Sequence, residues 1–309
     1  MLCLACVRAG ARTRACTGAC PGAWAGGRAS MAAMTMTNKP KPKRSKRPKR
    51  IALGNQKGGV GKTTTTVNLA AAAARLGHRV LVGDLDPQCN TTTTMDCRIG
   101  DYTLAEVLDV DPATREVVPG SAAAAIVPAG EAWPAGIDVL PASPVLAVRE
   151  QDTWDGREHR LARACEGVLD GYDVVLWDLP PNVGQMTVNG LVAADEVWVV
   201  TDPTRYGLDG VALIMGAIDR VQRYHHPGLA MGQIVINMHE PAREEPRFRA
   251  EEIRAKYGRL VYDEELPRAE VVRKATGAAA PLAAYGAEGR KAAEAVDRLA
   301  KRVLDGAVA

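Results

Sequence analysis

The sequence predicts an α/β fold, one mostly parallel sheet with helices on both faces. Three observations carry this. Short apolar runs recur along the chain, at 51–53, 79–84, 137–140, 172–178, 196–201 and 233–237, and read as buried strands rather than half-solvated ones. Helix-patterned segments alternate with them, which favours parallel crossovers. Several runs end in Asp or Asn, and the first opens into a glycine-rich loop. In an open α/β sheet, the carboxyl ends of the strands face the ligand crevice.

Residues 1–50 hold 12 Lys/Arg and no acid, whereas residues 51–309 hold 27 basic and 36 acidic groups, so a basic arm precedes an acidic body. Cys3, Cys6, Cys16 and Cys20 in the arm are spaced C-x₂-C and C-x₃-C. That spacing invites a zinc reading, but the segment has no His and almost no large apolar residue to pack around a metal. An over-extended start, with Met31, Met34 or Met36 as the true first residue, is the alternative. A secretory signal would need an apolar stretch that does not follow the first Arg. Cys89, Cys97 and Cys165 are scattered through the body, which suits a reducing, cytoplasmic compartment. No apolar run approaches the ~20 residues of a membrane helix. Residues 39–50 carry eight cations in twelve, broken by prolines. Such a stretch is expected to be disordered, either as a solvated leader or as an arm that grips nucleic-acid phosphates.

The first strand, 51–53, runs into Asn55-Gln56-Lys57-Gly58-Gly59-Val60-Gly61-Lys62-Thr63-Thr64 and then a long Ala-rich helix that stops at Gly77. Strand, glycine loop and helix form the context of a P-loop. The loop's backbone N–H groups and the helix dipole cradle phosphates. Lys62 supplies a point charge to the outer phosphates, and Thr63 a hydroxyl to Mg²⁺. A dinucleotide loop would need glycine where Thr64 stands. The next strand, 79–84, leads into Asp84-Leu85-Asp86-Pro87-Gln88, which places two carboxylates at the ligand edge. One could order a Mg²⁺ shell and the other could position an attacking water; an ordinary acidic turn is the bland reading. Residues 103–108 have a helical pattern, 118–136 form a loop, 137–140 a strand, and 157–169 a helix. The strand in 172–178 delivers Asp178 towards Mg²⁺ beside the P-loop, followed by Pro180-Pro181. A strand at 196–201, a helix over 208–223 and a strand at 233–237 ending in Asn237 complete the alternation; residues 240–249, charged and Pro-containing, read as a surface loop. One domain spans 51–304, with a short tail at 305–309.

The run from Lys57 to Thr64, the D-x-D-P-Q stretch and the strand ending in Asp178 together resemble the deviant Walker-A ATPases of the ParA/Soj type. The resemblance covers essentially all of 51–304. It implies a slow, switch-type ATPase that uses ATP and Mg²⁺. ATP binding would produce a homodimer in which Lys57 reaches the partner's nucleotide. It assigns Gly58, Gly59, Val60, Gly61, Lys62, Thr63 and Thr64 to the phosphates, and Asp86 to the hydrolytic water. Thr63, Asp178 and a supporting Asp84 go to the metal, a nucleotide-sensing switch to 180–184, and Asn237 and Pro267 to the base. At Asn237 the residues alone read equally well as a strand-end cap. The family usually has Gly where Cys89 stands, which puts the geometry of that loop in question.

The partners implied are non-specific duplex DNA and a ParB-type centromere-binding protein that stimulates hydrolysis, with the protein nucleoid-associated and without stable membrane attachment. Scattered C-terminal cations, Arg268, Arg273 and Lys274 among them, are offset by many acids and read by default as a solvated helix surface. The resemblance implies that cations of this half combine across the dimer into a DNA-binding face, without saying which. A MinD-like or protein-cluster-positioning ATPase acting on a membrane or nucleoid surface is the competing reading. It would need an exposed amphipathic C-terminal helix, whereas the stripe Ala295, Val296, Leu299 and Val303 lacks bulky anchors and is expected to face the core. Retention of Lys57 and Asp86 argues against an ATP-binding scaffold without turnover. A metal-cluster ATPase would need paired cysteines after Asp178.

Overall fold

Lys49 and Arg50, the end of the basic run, are the first residues of the sheet. The computed structural model describes residues 47–111 and 113–305. The four arm cysteines, the arm before Arg47 and the tail 306–309 lie outside them. Lys49 Nζ donates to the Val303 carbonyl at 2.8 Å and pairs with Glu196 at 3.2 Å. Arg50 donates to the Asp195 carboxylate through its backbone N–H at 3.0 Å and its Nε at 3.1 Å. These two cations therefore belong to strand β1 (Lys49–Gly54) and not to the arm.

The elements that follow are α1 (Lys62–Arg75), β2 (Val80–Asp84), α2 (Asn90–Thr94), α3 (Leu104–Val107), β3 (Val127–Pro128), β4 (Ile137–Leu140) and α4 (Arg160–Ala164). Then come β5 (Val174–Asp178), α5 (Gln185–Val192), β6 (Glu196–Thr201), α6 (Arg205–Tyr224), β7 (Ala230–Ile236), α7 (Glu244–Tyr257), α8 (Glu270–Gly277) and α9 (Gly286–Asp305). The sheet order is β3-β4-β2-β5-β1-β6-β7. Every pairing is parallel except that of the edge strand β3 with β4. This is the predicted mostly parallel sheet.

Side-chain alternation divides the core into two layers. From β5, Val174 and Leu176 face the layer built on α1 and α9, and Val175 and Trp177 face the layer built on α5 and α6. The stripe Ala295, Val296, Leu299 and Val303 of α9 is buried in the first layer, as its lack of bulky anchors suggested. No helix among the described residues is long and apolar enough to cross a membrane.

Three segments differ from expectation. Residues 118–136 are not all loop, since they contain a 3₁₀ turn at Ser121–Ala124 and the edge strand β3. Residues 157–169 do not form one helix: a 3₁₀ turn at Arg157–His159 precedes the short α4. The side chain of Asn189 from α5 occupies the place of a helical hydrogen bond, accepting from Leu161 N at 3.0 Å and donating to the Arg157 carbonyl at 2.9 Å. Residues 240–249 are not all loop, since α7 begins at Glu244. Only Ala250 and Ile253 of α7 are buried, too few for a visible apolar face. Its order instead matches its charges: Glu244 and Glu245 in the first turn and Arg254 and Lys256 in the last complement the helix dipole.

Candidate nucleotide site

The parallel register sets the site. Leu53 and Asp84 both pair with Asp178 across the central strands, so the P-loop, the D-x-D-P segment and the Asp178 carboxylate meet at one edge of the sheet. The loop is fastened from both sides by asparagines. Asn55 donates to the Val200 carbonyl at 2.8 Å and accepts from Lys57 N at 3.0 Å. Asn237, at the end of β7, donates to the Val60 carbonyl at 2.8 Å. Gly61 precedes α1 with φ +86°, and a Cβ there would overlap the Asn237 amide. The loop's conformation and its closeness to β7 thus both require glycine at this position.

Lys62 stands at the start of α1, mostly buried, with Nζ 3.4 Å from the Lys57 carbonyl. Burial lowers its pKa, and the charges of Asp178 and Asp86 oppose that shift. Asp178 is buried and accepts three threonine hydroxyls, from Thr63 at 2.6 Å, Thr91 at 2.7 Å and Thr66 at 3.2 Å. Burial raises its pKa, while these donors and the Lys62 charge favour the anion.

Asp84 lies beside Asp178, fully buried. Its oxygens accept Thr92 N at 2.8 Å, Thr92 Oγ1 at 2.7 Å and Asp86 N at 3.2 Å. Burial first, and then the neighbouring Asp178 charge, push it up to about 7. Its local bonds make Asp84 a brace for the D-x-D-P loop as well as a neighbour of Asp178. Asp86 accepts Gln88 N at 2.9 Å and lies near enough to Lys62 to stabilise its charge. Cys89 occupies the left-handed region at φ +57°. The turn that a glycine would favour is thus kept by a side chain that seldom adopts it.

Lys57 points towards β6. Its Nζ donates to both oxygens of Asp202, at 2.8 and 2.6 Å, and to Thr204 Oγ1 at 2.8 Å. Thr204 also caps α6 by accepting from Gly207 N. On the other side of the loop, a cavity of about 660 Å³ is bounded by Thr64, Asn237, Pro267, Arg268, Val272 and Arg273. The two residues assigned to the base therefore share one pocket, next to the start of α1.

The donor set fits a nucleoside triphosphate with a hard cation. A glycine cradle and two lysines suit phosphates, and one hydroxyl with one carboxylate suits Mg²⁺, which keeps waters and phosphate oxygens as its other ligands. No cluster of three metal-binding side chains exists among the described residues. Motif reading missed Thr66, Thr91, Asp202 and Thr204. The only sequence signal for any of them is the T-D-P-T run ahead of α6, which has the form of a helix cap.

A family model described as an AAA domain matches residues 48–231. The chromosome partitioning protein ParA of Caulobacter vibrioides is 33% identical over 246 residues, covering 76% of this chain and 86% of that protein. The sporulation initiation inhibitor protein Soj of Bacillus subtilis is 33% identical over 264 residues, covering 82% and 97%. Among solved structures, cobyrinic acid a,c-diamide synthase from Mycobacterium smegmatis with bound ADP and magnesium aligns with a TM-score of 0.66 at 29% identity, covering 83% of this chain and 94% of that one. McdA of Cyanothece in complex with ATP aligns with a TM-score of 0.73 at 15% identity, covering 84% and 98%, a likeness of fold.

Proposed function

This chain belongs to the ParA/Soj family of chromosome-partitioning ATPases, and we propose that it is an ATP-gated, DNA-binding dimer that moves a DNA cargo. The observation that carries the reading is the pair of lysines at one loop. Lys62 is fixed at the helix start, whereas Lys57 is held only by side chains, at 2.6–2.8 Å from Asp202 and Thr204. A lysine tethered in this way can exchange its partners for a phosphate presented by a second copy. ATP and Mg²⁺ bind at residues 58–64, with Thr63 and Asp178 towards the metal and Asn237 and Pro267 towards the base. The bound metal supplies charge neutralisation for phosphoryl transfer, and the chain's own part is positioning. Asp86 orients the attacking water, slow turnover resets the switch, and a ParB-type partner accelerates it. The dimer binds duplex DNA without sequence preference.

The test is duplex-DNA binding by the full chain in ATP and in ADP at physiological salt. The basic arm contributes equally to both arms of the experiment, so the difference isolates the gated component. Tighter binding in ATP supports the reading. Equal binding in both nucleotides overturns the gate and favours the protein-positioning alternative.

A further inference from the structure

The helix that follows the Asp178 strand starts without a cap of its own. At α5, Gly184 is the N-cap residue, offers no side chain, and no acid lies in the first turn. The missing group comes from 35 residues upstream. Glu150 Oε2 accepts Gln185 N at 2.6 Å, and Oε1 accepts Met186 N at 3.3 Å. A carboxylate there satisfies two otherwise orphaned donors and meets the positive end of the helix dipole. A Cβ on residue 184 would overlap that carboxylate, so glycine at 184 and the glutamate at 150 form one unit.

The loop that Glu150 fixes is the one that lies against the P-loop. Residues 180–184 fold back on α5 through Gly184 N to Asn182 Oδ1 at 2.9 Å and Thr187 Oγ1 to the Asn182 carbonyl at 2.7 Å. At the other end of the loop, Leu179 N donates to the Leu53 carbonyl at the end of β1. Pro181 lies against the P-loop, 3.9 Å from where a side chain on Gly58 would begin. Asn189 pins the middle of α5 to Leu161 and Arg157. The Glu150 cap therefore anchors the end of the loop whose other end lies against Gly58.

We propose that Glu150 is a positioning residue for hydrolysis: by capping α5 from an upstream turn of the same chain it holds the 180–184 loop against the P-loop in the arrangement that turns nucleotide over. This rests on the ATPase reading above. The experiment measures kcat and KM for ATP, the Kd for ADP, and amide hydrogen exchange at Gln185 and Met186. The proteins compared are the full-length wild type, Glu150→Ala, Glu150→Gln and Gly184→Ala. Glu150→Ala is expected to lower kcat about tenfold or more, as a modest misplacement near the reacting groups does, with ADP affinity kept within about twofold. Exchange at the two amides should speed up. Glu150→Gln keeps an oxygen acceptor and should restore most of kcat. Gly184→Ala, which expels the carboxylate, should reproduce the alanine variant even if Glu150→Ala folds poorly. Wild-type turnover with unchanged kcat in the alanine and Gly184→Ala variants, despite faster exchange, overturns the proposal and leaves the cap structural. Absence of turnover in the wild type overturns the ATPase reading itself.

Discussion

At the residue scale, Asp178 shows how a buried carboxylate is kept usable. Burial penalises its charge, and three threonine hydroxyls with the Lys62 charge offset the penalty. In the proposed site Thr63 turns towards the metal, which leaves Thr66 and Thr91 as the donors that stay. Thr91→Val removes one without changing volume much. We expect a loss of about 1.5–3 kcal/mol of stability, the size of a hydrogen bond to a charged group, read by urea unfolding without nucleotide. The same variant should need several-fold more Mg²⁺ for half-maximal ATP binding; an unchanged Mg²⁺ midpoint would count against Thr91 as a support of the metal-facing carboxylate. Lys57, Lys62 and Thr63 were legible in the sequence because a P-loop packs its motif into a few consecutive residues, and Asp178 because an apolar strand ends in it. Thr91, Asp202 and Glu150 were not. Their partners lie 87, 145 and 35 residues away, and such pairings follow only from strand order.

At the scale of elements, two ties can be tested. The Lys57 tether joins the P-loop to the start of α6 through Asp202 and Thr204. A partner's phosphate has to compete with this contact, so loosening it should favour the dimer. Asp202→Asn, which keeps the shape and removes the charge, should lower the ATP concentration for half-maximal dimerisation about tenfold, or about 1.4 kcal/mol, seen by light scattering. A raised or unchanged midpoint would mean that Asp202 does not restrain Lys57. The second tie is Arg50 to Asp195, which fixes β1 beside β6. Burial alone would raise the Asp195 pKa, but hydrogen bonds and charge from Arg50, with Arg47, hold it below the usual carboxylate range. A depressed carboxyl contributes stability above its unfolded pKa of about 3.9, and that contribution is lost as pH falls through the lower folded value. Arg50→Ala should therefore be less stable than wild type at pH 7. The gap should close as pH falls below the ordinary Asp range, as followed by denaturant midpoints across pH. The two-residue antiparallel edge strand β3 was read as loop, whereas the parallel strands were legible because buried parallel strands are apolar on both faces. Helix α7 was not, since its order comes from charge and dipole, and 157–169 was misread because a side chain from α5 breaks its ladder.

At the scale of the whole molecule, charge is distributed against simple DNA binding. The body from residue 51 carries 36 acids against 27 bases, and several C-terminal cations are paired with acids. Arg268 pairs with Glu240, Arg273 with Glu270, Lys274 with Glu288 and Arg298 with Glu264. Exposed pairs like these are weak and exchange readily for a phosphate, but each exchange leaves an acid behind, so one copy should hold DNA poorly. In the proposed ATP-gated dimer this would change by number: two copies would present twice as many phosphate contacts on one duplex, and affinity would fall with salt in proportion to that count. Lys57→Ala, which removes the lysine proposed to bridge the copies and leaves Lys62 in place, should sediment as a monomer in ATP while still binding nucleotide. Its slope of log affinity against log salt should be about half that of the ATP-bound wild type. A variant that sediments as a dimer would remove Lys57 from the bridge. A monomer with the full wild-type slope would place the gated DNA contacts within one copy.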